Sequence, residues 1–196
     1  MFTWLRFWRK IPSMTPKPLP PEYDFLNHED QPQIFKEALR WYGTIEFPGE
    51  ANNPVIIEWA KEINGWIGEW YDQDSVPWCG LFMALCAKRA GFPFNQKALS
   101  AREWINWGNP VTIPARGDIL VFQRSGGGHV GLYVAEDGEC FHVLGGNQSD
   151  SVCITRIKKD RLVGARRCKW KISQPDSVRR TFLSNGVVNR LSTNEA

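Results

Sequence analysis

The sequence has no apolar run approaching the roughly 20 residues that a membrane-spanning helix needs. Its five cysteines (79, 86, 140, 153 and 168) include no Cys-x-x-Cys pair, and none stands at zinc-finger spacing from a histidine. That spacing argues against a structural metal site, the odd count argues against a disulfide framework, and both point to synthesis in a reducing compartment. Histidine is scarce: only His28, His129 and His142 are available as a base near neutral pH. No zinc finger or aromatic RNA-binding strand is present, so nucleic acid is not an expected partner. An export signal is also missing from the first ten residues, because Arg6, Arg9 and Lys10 interrupt any apolar stretch and follow the aromatics instead of preceding them.

What the chain does have is aromatic and apolar mass, 13% and 42% of 196 residues, enough for one well-cored domain with tails. The net charge of +3 conceals an uneven distribution. Residues 1–10 carry 3 basic side chains and no acidic ones, residues 156–196 carry 11 basic against 3 acidic, and the middle carries 10 against 18. Basic ends of this kind either contact polyanions, including anionic wall or phospholipid head groups, or are simply solvated. Residues 1–28 read as an aromatic-basic segment (Trp4, Arg6, Phe7, Trp8, Arg9, Lys10) followed by a stiff linker with Pro12, Pro16, Pro18, Pro20 and Pro21. The segment is either a peripheral hook for a membrane or a virion partner, or a tail that packs its tryptophans on the domain. Residues 29–171 form the domain, and 172–196 a basic tail expected to be loose or to dock as a short helix.

Within the domain, helical spacing comes first. A helix is expected from Gln33 to Gly43 and another from the Asn53-Pro54 cap to Asn64-Gly65. A third spans Cys79 to Ala90, with Leu81, Phe82, Leu85 and Cys86 on its buried side. A short one starts at the capping box Ser100-Ala-Arg-Glu103. The period then drops to two, giving five strand candidates: Ile119 to Phe122, His129 to Ala135, Glu139 to Leu144, Val152 to Ile157 and Leu162 to Trp170, with a tight turn at Asp137-Gly138. Helices followed by a strand meander make an α+β domain, N-terminal helices packed on an antiparallel sheet of about five strands.

Pro77 places Cys79 at a helix start, where the helix dipole favours thiolate and should lower the pKa. Cys86, two turns on, would be inert core like Cys140, Cys153 and Cys168. Behind a glycine turn, His129 opens a strand and would present its ring at the sheet end as the base. His28 lies in a polar stretch and is discounted. A base also needs a residue to fix its tautomer. Asn147, in Leu144-Gly-Gly-Asn-Gln148, is preferred for this over His142, which an adjacent strand could bring beside His129. Gln73 is the candidate side-chain donor to an oxyanion, alongside the Cys79 N–H.

Four blocks, Pro77-Trp-Cys-Gly-Leu-Phe82, Arg116-Gly-Asp-Ile-Leu-Val-Phe122, Gly128-His-Val-Gly-Leu-Tyr-Val134 and Leu144-Gly-Gly-Asn-Gln148, resemble in order those of papain-like peptidoglycan cysteine hydrolases of the CHAP and NlpC type, especially phage and prophage endolysin-like forms. The likeness runs from about Phe35 to Arg167. It departs from many CHAP members in having Gly145 and Gly146 where a Glu precedes the Asn, and from NlpC members whose third residue is a strand histidine, for which His142 is the nearest match. The resemblance implies a papain-like fold, a Cys79 nucleophile, a His129 base and a polar third residue acting on stem-peptide amides of peptidoglycan, with no metal and no cofactor. It further implies a role in phage lysis or wall penetration, by a monomer made in the cytoplasm without a cleavable signal peptide and delivered by a lysis system or as a virion component. The competing expectation is a catalytically silent wall-binding or virion-structural module of the same fold.

Overall fold

The computed structural model describes residues 17–170, 173–184 and 191–192; the aromatic-basic segment of residues 1–10 lies outside them. Four α-helices precede the main sheet: α1 (Gln33–Leu39), α2 (Pro54–Ile63), α3 (Gly65–Trp70) and α4 (Cys79–Arg89). Asn53 caps α2, its side-chain oxygen accepting the Val55 N–H at 2.9 Å, and Pro54 follows at the first position, where its missing N–H costs nothing. Asn64 at φ 68° turns the chain directly into α3, a helix that periodicity had not separated from its surroundings.

Helix α4 is the centre of the packing. Every residue from Cys79 to Ala87 is buried, so the helix has no solvent face over that stretch. It is enclosed by α1 and α2 on one side and by the sheet on the other. Gly80 permits the tightest approach, since a Cβ there would collide with the Ala98 and Leu99 carbonyl oxygens. The capping box expected at Ser100 does not form: residues Ala101–Asn106 make a 3-10 turn with no side-chain cap, and the buried Trp104 fixes the preceding loop by donating to Ala98 O at 2.9 Å.

The sheet is antiparallel and has six strands: β1 (Asn109–Val111), β2 (Ile119–Arg124), β3 (Gly127–Glu136), β4 (Cys140–Gly145), β5 (Cys153–Lys158) and β6 (Leu162–Arg167), in the order β1-β6-β2-β3-β4-β5. The unexpected strand is β1, a short, mostly exposed edge containing Pro110, which carries too little pattern to read. Ile119, Val121, Val130, Leu132 and Leu144 join the helices in one core, while Leu120, Phe122, Tyr133, Phe141, Val143, Ile157 and Ala165 form a second cluster. Irregular registers at Val121/Phe122 and Tyr133/Ala135 bend the strands between the two. No helix of the described residues is long and apolar enough to cross a membrane.

Both flanking segments are integrated more closely than the sequence suggests. Tyr23 and Leu26, within the stretch read as linker, are core residues. The C-terminal segment forms neither a loose tail nor a docking helix over its described part. Residues 173–184 run beside the end of β3, with Glu136 N–H bonded to Thr181 O and Leu183 N–H to Glu136 O, both at 2.9 Å.

Asp137 organises the β3–β4 turn. Its Oδ1 accepts the Glu139 and Cys140 N–H groups, and its Oδ2 accepts from His142 Nε2 at 3.0 Å and Arg156 Nε at 2.7 Å. Burial opposes the charge, yet Arg156, the two N–H groups and His142 together hold the carboxyl well below the usual carboxylate range. A carboxyl depressed in the folded state stabilises fully above its unfolded pKa, about 3.9, and loses that contribution as pH falls below it. Asp137→Asn is therefore expected to lower the urea midpoint at pH 7, with the gap to the parent narrowing below about pH 4. A gap that stays constant from pH 7 to pH 3 would exclude an ionised Asp137 as the source.

Candidate active site

Cys79 stands at the first position of α4 and is 5% exposed. The approach to it is rigid. Asp74, buried, accepts the Phe47 and Asn53 N–H groups at 3.0 and 2.7 Å, and Tyr71 donates its hydroxyl to Val76 O at 2.7 Å, so the loop before Pro77 is pinned at both ends. Trp78 is fully buried against Trp59 and Phe82 and donates Nε1 to Glu46 at 3.1 Å. Burial raises the Glu46 carboxyl against the pull of that hydrogen bond, and nearby Asp150 and Asp74 add to the rise.

The sulphur meets the start of β3. Burial pushes the Cys79 thiol up from its ordinary value, opposed by the Val130 N–H, the charge of Arg124, and the N–H groups of Gly80 and Cys79 itself. The lowered pKa expected from the helix start alone is thus reversed. Three backbone donors and a guanidinium favour thiolate, but removing the sulphur from water outweighs them. Val130 follows His129 directly, so the sulphur sits against the strand residue next to the histidine.

His129 is the third residue of β3, paired with Phe122, and is 1% exposed instead of standing open at the sheet end. Its Nε2 lies 3.0 Å from Gln148 Oε1. The orientation of that amide follows from its other partners: Gln148 Nε2 donates to Val143 O at 3.1 Å and to Cys153 O at 2.5 Å. Carbonyl oxygens can only accept, so the NH2 group must face them and the amide oxygen must face the ring. An oxygen acceptor requires the proton on His129 Nε2, which makes Nδ1 the lone-pair nitrogen of the neutral ring.

The expected residues divide accordingly. Asn147 is buried in the loop after β4 at φ 55°, and it is its neighbour Gln148 whose amide oxygen accepts a hydrogen bond from His129 Nε2. His142 does not approach His129. It pairs with Ala135, six residues along β3, and both its nitrogens are occupied, Nδ1 by the Tyr23 hydroxyl at 2.6 Å and Nε2 by Asp137. Burial lowers its pKa despite Asp137, so it is a neutral structural residue joining the first turn to the sheet. Gln73 is exposed, its carbonyl accepting the Val76 N–H. Cys86 is buried in mid-helix, with its thiol raised by burial.

Gln148, Trp78 and Glu46 are the neighbours that motif reading passed over. The loop that delivers Gln148 carries Asn147, Ser149 and Asp150 in the left-handed region, and Asp150 O accepts the Glu46 N–H at 2.8 Å. A Cβ on Gly146 would come within 2.7 Å of both Trp78 and Phe82, so the loop lies directly on the residues flanking the cysteine.

A cysteine opening a buried helix beside a histidine early in an antiparallel strand defines the papain-like α+β class of cysteine hydrolases. Residues 70–147 match the CHAP domain model. No curated protein matches the chain. CHAP domains are typically cysteine peptidases or amidases, and the domain implies hydrolysis of peptidoglycan.

Because burial pushes the Cys79 thiol up, alkylation of Cys79 by iodoacetamide, followed by peptide mass mapping, is expected to keep accelerating as pH rises through about 8.5, the ordinary thiol value. A rate that plateaus below pH 7 would reveal a preformed thiolate instead.

Proposed function

We propose that the protein cleaves a stem-peptide amide of peptidoglycan, as an endopeptidase or amidase, through Cys79, His129 and Gln148. The observation that carries this reading is the locked Gln148 amide, which leaves His129 Nδ1 as the proton acceptor while the neighbouring Val130 N–H meets the Cys79 sulphur. His129 Nδ1 takes the thiol proton as the sulphur attacks the amide carbonyl, so thiolate is generated during attack and does not have to exist beforehand. Charge on the tetrahedral oxygen is met by the Cys79 backbone N–H; the side-chain donor expected from Gln73 would have to swing in from solvent. The imidazolium then protonates the departing amine, the carbon–nitrogen bond breaks, and water activated by His129 releases the acyl group from sulphur. Gln148 accepts the Nε2 proton throughout and steadies the imidazolium.

Asn147 gives up the orienting role to Gln148 in this scheme. The wider setting, phage lysis or wall penetration, is proposed from the resemblance of the four sequence blocks. A wall-binding module without chemistry has no use for a tautomer fixed in this way.

In a dye-release assay on purified walls, Cys79→Ala is expected to abolish hydrolysis with the fold intact, while Cys86→Ala costs about 1 kcal/mol of stability and leaves the chemistry. Gln148→Ala should lower kcat by on the order of tenfold or more, a larger loss than Asn147→Ala causes. Undiminished hydrolysis by Cys79→Ala would overturn the function, and the reverse order of the other two variants would return the orienting role to Asn147.

A further inference from the structure

Among the described residues, the large exposed hydrophobic side chains include two tryptophans side by side in a concavity. Trp66 and Trp70 stand one turn apart on α3, 43% and 57% exposed, with ring centroids 6.2 Å apart and planes inclined at 51°. Exposure at this level is unfavourable for indole, and neither ring is simply loose. Trp66 Nε1 donates to Gln96 O at 2.9 Å, and Trp70 rests against the edge of Tyr71. Together with Val76, Pro77, Lys97, Leu99, Ser100 and Glu103 they line a groove of about 550 Å³, within the range of ligand sites.

The groove adjoins the candidate catalytic residues. Pro77, which lines it, is two residues before Cys79. Leu99, Ser100 and Glu103, also in the lining, belong to a segment that touches the neighbours of both candidate residues: the Ala98 and Leu99 carbonyls lie on Gly80, and Arg102 lies on Gly128, the residue before His129. A substrate seated in the groove would therefore continue towards Cys79.

The lining selects among ligands. It offers two flat indole faces, and at its rim one cation, Lys97, one anion, Glu103, and a hydroxyl, Ser100. Opposite charges suit a neutral ligand that both donates and accepts hydrogen bonds. No sheet strand lines the groove, so an extended peptide has no backbone ladder to join there. A pyranose ring matches both features, with an apolar C–H face to lie on indole and a rim of hydroxyl and acetamido groups.

We propose that the Trp66–Trp70 groove is a glycan subsite that holds N-acetylhexosamine units of the wall while the attached stem peptide enters the cleft at Cys79. This deepens the hydrolase reading and rests on it. The subsite would select cross-linked or glycan-attached stems over free peptides.

The test uses full-length Cys79→Ala protein, so that binding is read without turnover. Peptide-free N-acetylated glycan chains and glycan-free stem peptides are titrated separately by calorimetry. Glycan binding is expected, weakened at least tenfold by Trp70→Ala and partly restored by Trp70→Phe, while Ile113→Ala, an exposed apolar change elsewhere, leaves the affinity as it was. An unchanged thermal midpoint for Trp70→Ala would tie the loss to the ring face and not to folding. No glycan binding, or binding that Trp70→Ala leaves intact, or stem-peptide binding that Trp70→Ala abolishes, would overturn the proposal. Wall hydrolysis by the parent protein, assayed alongside, reports on the hydrolase reading separately, so the two can fail independently.

Discussion

The candidate site depends on one amide whose direction is fixed by its surroundings. Gln148 has two donors and two obligate acceptors in reach, Val143 O at the end of β4 and Cys153 O at the start of β5. Both carbonyls belong to paired strands, so the sheet itself decides which end of the side chain faces His129. Flipping the amide would oppose its oxygen to two carbonyl oxygens and its nitrogen to the ring, leaving buried groups unsatisfied at a cost of about 1–3 kcal/mol each. The tautomer of the neutral His129 ring is in this way derived from the backbone geometry of the neighbouring strands.

The same compactness that fixes the histidine burdens the cysteine. The helix start supplies aligned N–H groups, but α4 is enclosed on all sides from its first residue, and the desolvation of Cys79 exceeds what those donors return. A protonated Cys79 thiol is consistent with so dry a place, since it places no separated charge there. In the proposed mechanism the proton moves to His129 only as the sulphur attacks a substrate carbonyl. Activation by proton transfer during attack and activation by a preformed thiolate make different demands on a fold, and the packing around Trp78 and Gly146 belongs with the first.

Charge along the chain has an internal explanation. The basic C-terminal third meets the acidic middle: Arg167 holds Asp118 through two bonds of 2.7 Å, Arg156 holds Asp137, Lys159 and Arg180 both reach Glu136, and Arg179 joins the buried Arg116 on Glu29. Burial, with Arg179 alongside, draws the Arg116 guanidinium down to about 10, so even there the charge is retained at neutral pH. Much of the basic excess after residue 155 is therefore spent on tying the last strands and the segment 173–184 to the domain. That removes the main motive for reading these side chains as a polyanion surface.

Where the sequence was legible, a local rule and the tertiary environment agreed. Asn53-Pro54 began a helix because cap and first-turn chemistry are local, and Asp137-Gly138 made a turn because an Asp side chain can satisfy the backbone N–H groups that follow it. The capping box at Ser100 failed because Trp104, reaching back to Ala98 O, imposed a tighter turn than an α-helix allows. At the candidate site, position alone suggested Cys79 and His129, but it did not single out Gln148 as the partner of His129, because the left-handed backbone at Asn147, Ser149 and Asp150 decides how the side chains of the loop are presented. Gly145 and Gly146 have a steric reason visible only in three dimensions. A Cβ at 146 would strike Trp78 and Phe82, and one at 145 would sit 3.1 Å from Gln148 Oε1 and 3.4 Å from His129 Nε2. With position 146 closed to a side chain and position 145 tight, the turn presents Gln148 to the ring.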